Sequence, residues 1–278
     1  MANNETSNRN RHHMIAEYLS IFVIISAFVM AISLSSLGCV VVWQKMAFFG
    51  SALAHTTILG IAWALLFSYD MVLMVITATV LVSILLFFTQ RIPNISYDTI
   101  LGIISHGALA IGLLLLSIAD VSYINLNNYL FGDILLSDFK STITVSLVMV
   151  IIMVSYIFIW KKLILRTIDK DLATSFNVPT DSAQFIFIIL LALCIAVMIN
   201  ILGLLLITSM LLLPAASSRI VSSSPGIMLL YAMIFSIIGT FSGLVLSIIY
   251  NVPSSVAIVV CSFLIFIVLH IKYIFIRS

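Results

Sequence analysis

The sequence predicts an all-α fold, a polytopic bundle of eight or nine membrane-spanning helices forming one domain. Three observations lead there. Of 278 residues, 63% are hydrophobic and only 8% charged, and the mean hydropathy is +1.30. A soluble domain is roughly a quarter charged, so this chain cannot cover itself with polar surface and lipid must be its solvent. Finally, apolar runs recur along the chain at lengths near the ~20 residues a helix needs to cross ~30 Å of hydrocarbon.

Residues 1–16, rich in Asn, read as a solvated polar tail, and residues 17–278 as a single transmembrane domain. The tail does not read as a cleavable signal, because the apolar run after it is too long and offers no clear small-residue cleavage site. Breaking the remainder at charges, prolines and polar clusters gives spans at 18–43, 47–69, 71–90, 99–119, 141–160, 182–200, 203–218, 226–250 and 254–271. The short connections at Asp70 and Asn200 are either full turns, which gives nine spans, or kinks or re-entrant turns, which gives eight. Cys39, Cys194 and Cys261 lie far apart inside apolar runs and read as small packing residues.

Short cytoplasmic loops collect Lys and Arg. With nine spans and the N-terminus outside, Lys45, Arg91, Lys161, Lys162, Arg166, Lys170, Arg219, Lys272 and Arg277 face the cytoplasm, against Arg9, Arg11 and Lys140 outside. That asymmetry predicts an N-out, C-in topology. The net charge of +2 is far too small for a nucleic-acid reader.

In this topology His55 lies ten residues past Lys45 and His106 eight past Asp98. At 1.5 Å per residue both are roughly 12–15 Å deep, near the midplane. Polar groups at that depth are costly and tend to face an interior or a pathway. A single membrane histidine reads equally as a hydrogen-bonding packing residue; two at one level invite a shared site. Ser51 sits one turn before His55, and both helices are rich in small residues: Gly50, Ala52, Ala54 and Gly60 on one, Gly102, Ser105, Gly107 and Ala108 on the other. Imidazole suits Zn²⁺ and other borderline transition metals, whereas Mn²⁺ and Mg²⁺ favour oxygen.

Between the fourth and fifth spans, "NNYLFGDILL" with Gly132 and Asp133 is apolar yet too short to cross. It reads as a re-entrant or interfacial segment over the outer mouth, or equally as an exposed amphipathic loop. The cytoplasmic loop around 161–181 contains "DKDLATSFNV": Asp169 is an N-cap, Lys170 to Phe176 (with Asp171, Leu172 and Ala173) a short helix, and Asn177 a left-handed C-cap before Pro179. Such a helix is a docking surface or an ordinary connector. Pro214 predicts a kink in its span and Arg219 an interfacial anchor. No G-x-x-x-x-G-K-[ST] occurs, so the chain has no P-loop for ATP, and neither H-E-x-x-H nor paired membrane carboxylates suggest an intramembrane protease.

Taken in order, "VVWQKMAFFGSALAHTTILGIA", "YDTILGIISHGAL", "NNYLFGDILL", "DKDLATSFNV" and "LLLPAASSR" resemble the membrane permeases of bacterial metal-ion ABC importers of the zinc/manganese/iron class, most closely the zinc type. The resemblance runs from Val41 to Arg219. It implies a homodimeric, multi-pass permease of the bacterial cytoplasmic membrane, working with a cytoplasmic ATPase dimer and an extracytoplasmic metal-binding protein. ATP would be consumed by the partner, metal moved by alternating access, and no cofactor held by this chain, which is no enzyme. His55 and His106 would be polar pathway residues, Asp133 part of a Y-L-F-G-D element, and Asp169–Asn177 the coupling helix seated in the ATPase. The family usually has Asp where this chain has Ser51, so one anionic ligand is missing here. Manganese-type members tend to have Pro before the glycine that follows the histidine; Leu59–Gly60 matches the zinc type, so zinc is preferred over manganese or iron. Two other classes are a secondary transporter, which would call for paired midplane carboxylates or matching broken helices, and a non-transporting scaffold, which leaves two level histidines unexplained.

Overall fold

The computed structural model describes residues 21–90, 95–119, 131–132, 134–136 and 139–277. The polar tail and Asp133 lie outside them. Nine α-helices follow in order: α1 (Ile21–Trp43), α2 (Phe49–Phe67), α3 (Met71–Thr89), α4 (Tyr97–Ile118), α5 (Phe139–Ile168), α6 (Lys170–Ser175), α7 (Thr180–Val221), α8 (Pro225–Tyr250) and α9 (Ser254–Arg277). A single 3₁₀ turn, Ile134–Leu136, precedes α5. Among the described residues there is no strand. Apart from the six-residue α6, every helix is apolar and long enough to cross a membrane, and α7 holds two such segments, Thr180–Ile199 and Ile201–Val221. That makes nine spans among the described residues.

The helix ends follow local chemistry. Leu73 N–H donates to Asp70 Oδ1 (2.9 Å) to cap α3, and Thr99 N–H donates to Ser96 Oγ (3.2 Å) to cap α4. Ser224 precedes Pro225 at the start of α8, where the missing proline N–H costs nothing. Ser68 and Asn251 close α2 and α8 in the left-handed region. Asp70 therefore sits in a full turn between two helices.

Reversal inside α7 fixes the second doubtful connection. Gly203 breaks it, at φ 72° and ψ 164°, where the spans ending at 200 and beginning at 203 were expected to meet, while Pro214 stays within the helix. Arg166, near the end of α5, forms an ion pair with Asp181 at the start of α7. At the other end of α7, Cys39 Sγ approaches the Met228 carbonyl in the first turn of α8. Both termini of α7 thus lie at the end of the bundle that carries Lys45, and the glycine lies at the opposite end. There its backbone meets that of Phe131 and Gly132, itself at φ 56°. Ile134, just beyond, is buried among α1 and α7 side chains, so this part of the loop dips into the bundle rather than lying exposed on it.

Two helices run well past their expected limits: α9 continues from residue 271 to Arg277, and α5 from residue 160 to Ile168, through Lys161, Lys162 and Arg166. Long basic stems can lie along apolar surface while their heads reach water, so charge ends the hydrocarbon and not the helix.

With no water in hydrocarbon, most hydroxyls find partners within the protein, although Ser146, Ser217 and Ser255 do not. Ser35 and Ser36 donate to the carbonyls of Ala31 and Ile32 (2.6 Å each), and Thr79 to that of Val75 (2.8 Å). Others stitch helices: Tyr156 Oη donates to Ser36 O (2.9 Å), Ser236 Oγ to Ala31 O (2.8 Å), and Ser26 Oγ pairs with Thr142 Oγ1 (2.9 Å). They join α1 to α5 and α8 around the core.

Gly203 occupies a backbone conformation open essentially to glycine, and a Cβ there would strike Phe131 and Gly132. Gly203→Ala should cost about 2–3 kcal/mol and lower the thermal midpoint of the purified protein. Gly226→Ala, where a Cβ meets nothing within 4 Å, should not. Equal midpoints for the two variants would show that the reversal is unconstrained.

Candidate functional site

Helices α2 and α4 pack closely against each other. Gly112 of α4 permits it: a Cβ there would lie 2.9 Å from the Leu59 amide nitrogen of α2. On α2, the hydroxyls beside His55 are satisfied by their own helix, Thr56 donating to Ala52 O (2.7 Å) and Thr57 to Ala54 O (2.6 Å). They leave the imidazole to face α4.

The structure brings the two predicted histidines together. Their ring centroids are 6.4 Å apart and the planes are inclined by 35°. His55 is partly buried and His106 exposed on the outer side of α4. Beside His106, Gly102 and Gly107 look onto open space, so the pair opens away from the core of the single chain.

His55 Nδ1 lies 2.8 Å from Ser105 Oγ. The tautomer that ligates a metal through Nε2 is the one whose Nδ1–H donates to this oxygen, so Ser105 can orient the ring for coordination. Ser105 is 2% exposed, and sequence reasoning treated it only as a small residue. The signal was present, since it precedes His106 on the helix that faces His55. Ser51 remains one turn before His55 on α2, partly buried, and the hydrogen bond to the ring comes from α4 rather than from it. Asp133 falls outside the described residues.

Among the described residues no three His, Cys, Asp or Glu side chains cluster in metal-binding geometry. Two imidazoles sharing a tetrahedral zinc at about 2.0–2.1 Å would have centroids roughly 5–5.5 Å apart. The pair is therefore slightly wider than a closed couple. Two such rings could supply at most half of a tetrahedral coordination sphere.

The predicted coupling segment is a separate structure at the Lys45 end of the bundle. Asp171 N–H donates to Asp169 Oδ1 (3.0 Å) and Ala173 N–H to Asp169 O (3.2 Å), opening the short helix α6. Asn177 has φ 54°, and Val178 N–H donates to Ala173 O (3.0 Å), closing it. Lys170 and Leu172 lie within the turn, Ala173 is fully buried, and Phe176 is 72% exposed. The buried Ala173 anchors α6, while Asp171, Ser175 and, just past its end, Phe176 are exposed.

Against known proteins, the profile of the ABC 3 transport family matches residues 17–273. The high-affinity zinc uptake system membrane protein ZnuB of Haemophilus influenzae is 31% identical over 88% of this chain and 94% of its own length. ZnuB of Buchnera aphidicola subsp. Schizaphis graminum is 34% identical over 85% of this chain and 91% of its own. The manganese import system permease protein ScaB of Streptococcus gordonii is 29% identical, with 88% of each chain covered. Among solved structures, PsaBC from Streptococcus pneumoniae in complex with Fab superposes with a TM-score of 0.78 at 25% identity, covering 92% of this chain and 95% of that one.

In membrane proteins an interhelical hydrogen bond averages about 0.6 kcal/mol and reaches about 1.7. A double-mutant cycle on His55→Ala and Ser105→Ala, read by unfolding, should give a coupling in that range. Zero coupling would mean that the hydroxyl does not hold the ring.

Proposed function

The chain belongs to the ABC 3 transport family, and from that premise we propose that this permease subunit of a metal ABC importer carries zinc. The observation that carries the reading is the pair of imidazoles side by side on α2 and α4. Among the described residues no carboxylate joins the two rings in a metal-binding group; nitrogen donors suit zinc, whereas manganese prefers oxygen ligands. The ZnuB relatives at 31% and 34% identity support the same cargo.

In this reading a second copy of the chain packs against the open side of α4 and brings two further imidazoles to the axis. An extracytoplasmic metal-binding protein delivers zinc at the Gly132–Gly203 end. The basic end faces the cytoplasm, giving the N-out, C-in topology, and α6 seats in a cytoplasmic ATPase dimer. ATP turnover there rearranges the two copies and exposes the pathway alternately to each side. His55, oriented by Ser105, and His106 exchange zinc between them, and Asp133 and Ser51 supply further polar stations along the route. Two neutral rings and a hydroxyl are too few strong ligands for a permanent cage, so the ion passes on.

His55→Gln keeps polarity but coordinates zinc poorly. In the reconstituted importer it should reduce ATP-dependent zinc uptake by about tenfold, the equivalent of roughly 1.4 kcal/mol at the transport barrier, with assembly intact; His106→Gln should act alike. Parental uptake by both variants would make the imidazoles structural.

Ala173→Pro removes the N–H that donates to Asp169 and places a ring in a fully buried position. It should abolish uptake while the permease still inserts, and Phe176→Cys should be labelled by an impermeant maleimide only from the cytoplasmic side. Labelling from outside would reverse the topology, and normal uptake by the proline variant would remove α6 from coupling.

A further inference from the structure

A second polar site lies at the basic end, away from the histidines. The α1–α2 turn and the ends of α3, α4, α5 and α7 surround a cleft of about 330 Å³. Its walls include Trp43, Gln44, Lys45, Tyr97, Arg166 and Gln184, and among the described residues no Asp or Glu lines it. Gln184 is 1% exposed, yet its Oε1 has no hydrogen-bond partner, and its Nε2 reaches only the Met46 sulfur at 3.7 Å. The buried Gln44 Nε2 likewise has no acceptor. Buried amide groups left unpaired are costly, about 1–3 kcal/mol each, so such a cleft is incomplete without an occupant.

The lining selects the occupant's chemistry. A divalent cation would meet an ammonium and a guanidinium, and the nearby Asp181 carboxylate is already held by Arg166, so the lining disfavours a cation. Arg166 is shared with Asp181, which leaves guanidinium donors for a second acceptor. Lys45 is held by its left-handed backbone (φ 55°) at the tight turn between α1 and α2. Trp43 and Tyr97 are the residue types that settle at headgroup level. Basic pockets between membrane helices at this level bind phosphate-bearing headgroups.

We propose that this cleft is a phosphate-binding site, in which Lys45, Arg166 and the Gln44 amide hold the anion and Gln184 Oε1 accepts a hydrogen bond from a hydroxyl or ammonium carried with it. An occupant here bridges the α1–α2 turn to α5 and α7, directly beside the Arg166–Asp181 pair that flanks α6. The same chemistry is offered by a lipid headgroup and by free phosphate.

The test uses the full chain purified with its ATPase from nanodiscs of equimolar phosphatidylglycerol and phosphatidylcholine, with retained lipid counted by native mass spectrometry. Lys45 is exposed, so Lys45→Ala leaves packing undisturbed; Gln184→Leu removes the buried acceptor; Lys272→Ala controls for general charge at this end. Phosphatidylglycerol retained at about tenfold excess, reduced about fivefold by Lys45→Ala, restored by Lys45→Arg and unaffected by Lys272→Ala, supports a lipid-headgroup site. A Trp43-dependent fluorescence change on adding inorganic phosphate, lost in Lys45→Ala and in Gln184→Leu without selective lipid retention, supports a site for free phosphate. If Lys45→Ala and Gln184→Leu match the parent in both measurements, the proposal is wrong. None of these readouts depends on which metal is transported.

Discussion

Everything in this molecule answers to one constraint: a polar group inside hydrocarbon has no water to turn to. Each backbone amide must be paired within its own segment, which is why the described spans are helices and why they break only where another part of the protein lies alongside. The same rule governs side chains. Ser35, Ser36, Thr56 and Thr79 fold their hydroxyls back onto the preceding turn, and such residues become invisible to their neighbours. The few that look outward, Ser26, Ser236 and Tyr156, become the joints between helices. Irregular backbone is permitted at Gly203 because Gly132 covers it.

Against that background the histidine pair is an exception. Neither ring is turned back on its own helix, and only one of them has its hydrogen bond supplied by a neighbouring helix. The surrounding structure spends close packing between α2 and α4 to keep two polar rings adjacent while leaving one open on the outside of the single chain. A core that needed only filling would be served better by leucine at both positions. The arrangement makes sense when the open side is completed by another surface and the rings are used by something that arrives and departs.

Much of this was legible in the sequence. Spans could be read because hydrophobic length is a direct physical requirement, and the level of His55 and His106 followed from counting residues from the nearest charge. The caps at Asp169 and Asn177 were legible because they depend on local chemistry. What escaped was whatever depends on contact between distant segments. Ser105 is one small residue among many until α2 is laid against α4. The break between the spans ending at 200 and beginning at 203 was legible from their lengths, but that it falls on Gly203, against Gly132, was not. The end of α5 was placed too early because charge marks where lipid stops, and the helix goes on in water.

That continuation has a mechanical consequence. Helix α5 runs 30 residues without interruption, from the Gly132 end of the bundle to the turn that begins α6. At 1.5 Å per residue it is a rod about 45 Å long, and tilting it by roughly 10° about one end swings the other by about 8 Å. Between its ends Tyr156 bonds to Ser36 of α1, and Thr142 near its start pairs with Ser26. A push delivered at the short helix therefore need not be relayed through side chains packed one upon another. It can travel as the inclination of a single stiff member, arriving on the far face of the membrane at the same moment as it is applied.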